Sequence, residues 1–89
     1  MTFRAEVFVT PKAVVNDPQG LTIRQGLRSL GFEGVQDVRS GKYLVLTLES
    51  PDRDTALARL DDMARTLLAN AVIEDYRIEL APVRETVAP

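Results

Sequence analysis

The hydrophobic period of this 89-residue chain switches from two to helical and back, twice over, and that alternation constrains its fold more than any other feature. Over Thr2–Thr10, Phe3, Ala5, Val7 and Val9 share one face and Arg4, Glu6, Phe8 and Thr10 the other. Period two predicts a strand with one face on a core. Pro11 lacks an N–H and ends it. Beyond the connection Lys12–Asn16, Asp17-Pro18-Gln19-Gly20 reads as a helix start: the carboxylate caps orphan amides and Pro is tolerated in the first turn. Ile23, Leu27 and Leu30 then form a helical stripe, and Gly31 is placed to stop the helix in the left-handed region. Val35–Glu49 reads as β again, with Ser40-Gly41 as a tight turn between the arms Val35–Arg39 and Lys42–Glu49. Leu44, Leu46 and Leu48 share one face of the second arm, opposite Tyr43, Val45 and Thr47. Val35 and Val38 stand three apart and need a bulge to share a face.

Ser50-Pro51-Asp52 marks a second helix start, with acids at the positive end of the dipole. Leu57, Leu60, Ala64 and Leu67 form its stripe, widened by Ala56, Met63 and Leu68, and Asn70 is the expected C-terminal cap. Val72–Leu80 closes the pattern with Tyr76, Ile78 and Leu80 inward. The order β-α-β-β-α-β with right-handed crossovers predicts an α+β, ferredoxin-like domain, a four-stranded antiparallel sheet with two helices on one face. The domain is expected over residues 1–80, with 81–89 as a flexible C-terminal tail. The other sheet face carries Phe8, Tyr43 and Val45, too apolar for a solvated face, so self-association is expected there. Its candidates are Phe8, Tyr43 and Tyr76, in a homodimer or homotetramer. A domain this small buries only about 60–65% of its unfolded surface, which also favours assembly.

Composition removes most chemistry. Eleven Lys and Arg against 13 Asp and Glu give a net charge of −2, without the basic excess of a nucleic-acid binder. There is no Cys and no His, hence no thiol nucleophile, disulfide, ordinary zinc site or neutral-pH imidazole base. No apolar run reaches the roughly 18 residues of a membrane span, and the N-terminus shows no signal-peptide pattern, so a cytoplasmic protein is expected. Asp61 and Asp62 point about 100° apart on a helix and form no dyad, and Glu74 and Asp75 face opposite ways on a strand. The first loop, with Lys12, Asn16 and Asp17, lacks the Gly-rich run and the amides of an acylphosphatase-type phosphate cradle. Tyr43 and Phe8 could stack on bases, but Glu6, Glu49 and Asp75 offset Lys42 and Arg4. Arg39-Ser40-Gly41-Lys42 puts two cations around a turn, a solvated tip or a recognition loop. Catalytic, cofactor-binding and metal-ligating residues are expected to number none in this chain.

Val7-Phe8-Val9-Thr10-Pro11-Lys12, Asp17-Pro18-Gln19-Gly20, Val35-Gln36-Asp37-Val38-Arg39-Ser40-Gly41-Lys42 and Leu67-Leu68-Ala69-Asn70-Ala71-Val72-Ile73-Glu74-Asp75-Tyr76 resemble the PurS family. This is the small subunit of phosphoribosylformylglycinamidine synthase, and the resemblance runs from about Phe3 to Leu80. Pro11 and Ser40 stand where the family usually has aliphatic residues, and Ala71 where Pro is common. The resemblance implies a non-catalytic subunit that bridges the ATP-dependent PurL and the glutaminase PurQ in purine biosynthesis and supports ammonia transfer between them. No cofactor is then expected on this chain, and ATP and Mg belong on the large partner subunit. Partner docking is expected at Lys12, Asp17, Gln19, Arg39, Lys42, Asn70 and Glu74, which sit on the family motifs at loop ends. No nucleic acid or membrane partner is expected. The rival is an ACT-like small-molecule-sensing dimerisation module with the same element order, though its Gly-rich first loop is missing here.

Overall fold

The computed structural model describes residues 1–13 and 16–83. Strand β1 spans Thr2–Pro11, helix α1 Pro18–Ser29, strand β2 Lys42–Glu49, helix α2 Arg53–Met63 and strand β3 Glu74–Pro82. The sheet is antiparallel with order β2-β1-β3. Among the described residues three strands, not four, make an α+β fold with two helices. The segment Val35–Arg39, expected as a hairpin arm before a Ser40-Gly41 turn, joins no ladder. Its backbone is engaged elsewhere: the Ser40 N–H donates to Asp17 Oδ2 at 2.7 Å, and the Val38 carbonyl lies hard against Gly20.

The period-two reading of β1 is borne out. Val7 faces Leu44 and Ile78 across the two ladders, and Ala5 faces Leu46 and Leu80. These inward residues meet Ala56, Leu60, Ala64 and Ala69 from the α2 side to form the core. Burying an aliphatic side chain of this kind stabilises by about 1.5–3 kcal/mol. Both helix starts are where the Pro-containing motifs put them. Asp17 Oδ1 accepts from the Gly20 N–H at 3.0 Å and Asp52 Oδ1 from the Thr55 N–H at 2.7 Å. Gly31, at φ +100°, ends the first helix as expected, and the Phe32 N–H closes on the Leu27 carbonyl at 3.0 Å.

Several details differ from the sequence pattern. The end of α2 widens into a π-helical turn over Ala64–Leu68, closed by the Ala69 N–H on the Ala64 carbonyl at 2.9 Å. The wider turn rotates the next side chains: Leu68 packs on the core, whereas Leu67, expected inward, is 83% exposed. Asn70 is no helix cap; its Oδ1 accepts from the Val72 N–H at 3.1 Å, a turn that leads into β3. Strand β3 starts at Glu74 rather than Val72. It continues through Ala81 and Pro82, which pair with Arg4 and Phe3, so the expected tail is strand at its first two residues. The remainder of that tail, 84–89, lies outside the described residues.

The largest departure concerns α1. Its only buried residue is Gly20, and of its expected stripe Ile23 is 42% and Leu30 75% exposed. The helix stands off the sheet. The radius of gyration is 17.1 Å, with extents of 49 × 36 × 16 Å. A compact domain of this length would have a radius of about 12 Å.

Candidate partner-docking site

Lys12, Arg39, Lys42, Asn70 and Glu74 fall at one end of the sheet, where β1 finishes and β2 and β3 begin, and Asp17 is joined to them through Ser40. In the registers Val9 faces Lys42 and Pro11 faces Glu74. Two clusters share this end. In the first, the Asp17 carboxylate bridges the Gly20 and Ser40 amides, which hold it below the usual carboxylate range. The Arg39 guanidinium donates to the Ala13 carbonyl at 2.7 Å and the Lys12 carbonyl at 3.5 Å, and sits 3.5 Å from Asp37. The strand-to-helix loop and the returning segment are therefore tied to each other. Gln19 lies exposed in the first turn of α1.

In the second cluster, Lys42 Nζ donates to the Leu68 carbonyl at 3.0 Å and lies 3.8 Å from Glu74. Glu74 Oε1 accepts from the Asn70 N–H at 2.7 Å, and the Asn70 carbonyl accepts from the Glu74 N–H at 2.7 Å. These bonds seal the end of the π-helical turn and fix the loop into β3. Lys12 links the clusters, since its N–H donates to the Ile73 carbonyl at 2.8 Å and its Nζ pairs with Asp75 at 2.6 Å. Beside them Leu67 and Val72 stand more than four-fifths exposed along a shallow groove edged by Lys42, Arg65 and Glu74. Apolar side chains framed by fixed charges are suited to a protein partner.

The self-association candidates divide. Phe8 and Tyr43 face each other on the outer sheet face, ring centroids 5.2 Å apart, and the Arg77 guanidinium lies 4.1 Å over the Phe8 ring. Tyr43 donates its hydroxyl to Glu6 at 2.6 Å, which lowers the Glu6 carboxyl and raises the phenol; Arg4 reinforces the former. Val45 beside them is 49% exposed. Tyr76 belongs to the helix-covered face, half-buried, with its hydroxyl on Asp61 of α2, so the three do not share a surface.

Sequence reasoning missed Glu6, Arg77 and Asp61 as partners of these rings. The Phe8–Arg77 and Glu6–Tyr43 contacts join strands whose mutual register only the folded sheet supplies. The Tyr76 hydroxyl, donated from β3, gives Asp61 of α2 a partner and lowers its carboxyl, with Arg65 adding to the effect. Among the described residues no group of three or more His, Cys, Asp or Glu could hold a metal ion, and no helix is long and apolar enough to cross a membrane.

What the polar residues do here is fix backbone: they cap helices, clamp loops and frame exposed apolar groups. Fold and site together define a small α+β interaction domain. The chain belongs to the PurS family, whose model, described as PurS: phosphoribosylformylglycinamidine (FGAM) synthase, matches residues 4–82. A relative from Synechocystis sp., phosphoribosylformylglycinamidine synthase subunit PurS, is 44% identical over 88 residues, covering 99% of this chain and 88% of the relative. The solved structure of B. subtilis PurS superposes with a TM-score of 0.79 at 45% identity, covering 90% of this chain and 99% of that one. A chain of the PurLQS structure from Thermotoga maritima gives 0.82 at 28% identity, over 91% of this chain and 99% of that one.

Proposed function

We propose that the chain is the non-catalytic subunit of FGAM synthase, joining the ATP-dependent subunit PurL to the glutaminase subunit PurQ. The carrying observation is the PurS family match over residues 4–82. The likeness to a chain of the Thermotoga PurLQS assembly supports the two partners. The assembled enzyme would convert formylglycinamide ribonucleotide, ATP, glutamine and water to formylglycinamidine ribonucleotide, ADP, phosphate and glutamate. This chain's part is to hold the glutaminase and synthase centres in register so that ammonia passes between them. ATP and Mg would sit on PurL, and the assembly would be cytoplasmic.

The docking end of the sheet offers Lys12, Asp17, Gln19, Arg39, Lys42, Asn70 and Glu74, with Leu67 and Val72 as the apolar contacts. Self-association, as a homodimer or homotetramer, would leave that end accessible, with Phe8 and Tyr43 covered on the outer face. The four-stranded ferredoxin-like sheet would then belong to the assembly rather than to one chain.

The test is synthesis of formylglycinamidine ribonucleotide by PurL plus PurQ from the same organism, with and without this chain, supplied with glutamine or with free ammonia. The expected result is that only the glutamine-dependent reaction needs the chain. If neither rate changes and the chain does not associate, the bridging role is refuted.

A further inference from the structure

Between the start of α1 and the segment returning to β2 lies a half-open hollow of about 140 Å³. Leu21 and Arg24, neighbours on one face of α1, line it together with Asn16 and Asp17, and residues 37–39 line the other side. The two sides are pinned together. Ser40 donates its N–H to Asp17 Oδ2 at 2.7 Å, and the Val38 carbonyl oxygen lies against Gly20, where a Cβ would stand only 2.2 Å from it. The hollow is therefore preformed, and a volume of this order admits a molecule about the size of benzene.

Most polar groups around it are already engaged. Both Asp17 oxygens take backbone amides. Arg39 donates to the Lys12 and Ala13 carbonyls, and its Nε lies 3.5 Å from Asp37 Oδ2. Arg24 is different. It is half-buried, its Nε is closed off from solvent without an acceptor, and its side chain bonds to no described residue. A guanidinium is a fork of N–H donors that keeps its charge at any ordinary pH, and a carboxylate completes that fork with two parallel bonds. Asn16, exposed at the rim, has a side-chain amide that bonds to no described residue, and the same holds for the second oxygen of Asp37. The acids Asp17 and Asp37 oppose a doubly charged phosphate here but not a zwitterion, whose cationic end one of them can take.

We propose that this hollow binds a small free α-amino acid, its carboxylate on Arg24 and the Asn16 amide, its ammonium at the open oxygen of Asp37. Leu21 supplies the apolar contact for the ligand's Cα, and the ligand's own side chain points out through the open side. The site is independent of the bridging role, since none of its three ligand-holding residues is a docking candidate.

The test is a nuclear magnetic resonance titration of the full, isotope-labelled chain with glycine, acetate and inorganic phosphate in turn. It follows the Arg24 Nε–Hε resonance and the backbone amides of Asp17 and Val38. Glycine should saturate the shifts and bind about two- to five-fold more tightly than acetate, the ratio an exposed ion pair supplies. Arg24→Lys keeps the charge but loses the fork, and should weaken glycine about ten-fold, as loss of a charge-assisted hydrogen bond does. Asp37→Asn, at an exposed position, should erase the advantage of glycine over acetate. Shifts that never saturate, or an affinity for glycine unchanged in Arg24→Lys, would overturn the proposal. So would phosphate binding more tightly than glycine, which marks a general anion site, and so would an advantage of glycine that survives Asp37→Asn.

Discussion

Replacing Gly41 by Ala tests whether the segment entering β2 is packed against the central strand as described. Gly41 has an ordinary negative φ, since Gly31 is the only described glycine in the left-handed region. An alanine there suffers no dihedral strain. The difficulty is space. Its Cβ would stand 2.1 Å from the Val9 carbonyl oxygen and 3.2 Å from the carbonyl carbon, both backbone atoms of the most buried strand. Even a contact of 3.0 Å, at the limit of what real Cβ atoms show, requires the two backbones to separate by about 0.9 Å. That separation strains the start of the β1–β2 ladder at the Val9–Lys42 pair. Overpacking of this kind costs about 1–3 kcal/mol, and a weakened ladder bond adds about 1 kcal/mol. Reduced freedom of the unfolded chain offsets roughly 0.4–1 kcal/mol. The net expectation is a loss of about 1–3 kcal/mol, or a fall in Tm of about 5–20 °C for a domain of this size. The assay is thermal melting by circular dichroism at one fixed protein concentration, because self-association makes Tm concentration-dependent. Gly34→Ala is the control: nothing lies within 4 Å of the added methyl, and its effect should stay within about 1 kcal/mol. A Gly41→Ala protein melting within about 2 °C of the parent would refute the close approach.

Three further outcomes are expected. Leu60→Ala, at a fully buried position, should cost about 2–5 kcal/mol by chemical denaturation. Asp17 has its carboxyl lowered by the Gly20 and Ser40 amides, so the unfolded chain binds the proton first. Its stabilising effect is complete above the ordinary Asp range near pH 3.8 and is lost as pH falls through the depressed value. Between pH 5 and the acid limit, Asp17→Asn should therefore lose less Tm than the parent, and equal losses would contradict the clamp. Glu6 raises the Tyr43 phenol and Asp61 raises Tyr76, so both tyrosines should ionise above pH 10 in an ultraviolet titration. Glu6→Gln should bring one of the two down and leave the other.

How much was legible follows from where each signal resides. The alternation of β1 and the Asp17-Pro18 and Ser50-Pro51-Asp52 starts are local, encoded within a few residues, and they survive folding unchanged. The exposure of Leu67 is not local in that sense. A π-helical turn adds one residue to the loop of a hydrogen bond, and no periodicity count over Ala64–Leu68 shows it. The segment Val35–Arg39 failed as a strand for a reason partly visible beforehand: Val35 and Val38 cannot share a face without a bulge. The deciding fact was Asp17, already read as a helix cap, whose second oxygen takes the Ser40 amide that a hairpin would have used. A cap with two acceptor oxygens can serve two segments, and sequence spacing reveals only the nearer one. Self-association was predicted from the right physical shortage, too little core for the chain's length. The exposure of Ile23 and Leu30 was not legible in the same way, because it depends on where α1 is carried.

The family motifs acquire a physical meaning from this arrangement. Asp-Pro-Gln-Gly supplies a carboxylate that joins two segments and a glycine that admits a carbonyl; Arg-Ser-Gly-Lys supplies the guanidinium, the amide and the second close approach. Asn70 and Glu74 fix the loop into β3 while Leu67 and Val72 stay open. A motif rich in Asp, Arg, Lys and Glu ordinarily invites a catalytic reading. Here each of the docking candidates but Gln19 already holds backbone or an opposite charge, so what they fix is the seat of a loop and the rim of a groove. Such geometry is demanding of residue type, since only Gly fits beside a carbonyl at these distances and a carboxylate offers a separate oxygen to each of two amides. Specific motifs without histidine or cysteine are thus what a subunit needs when its work is to hold other centres in place.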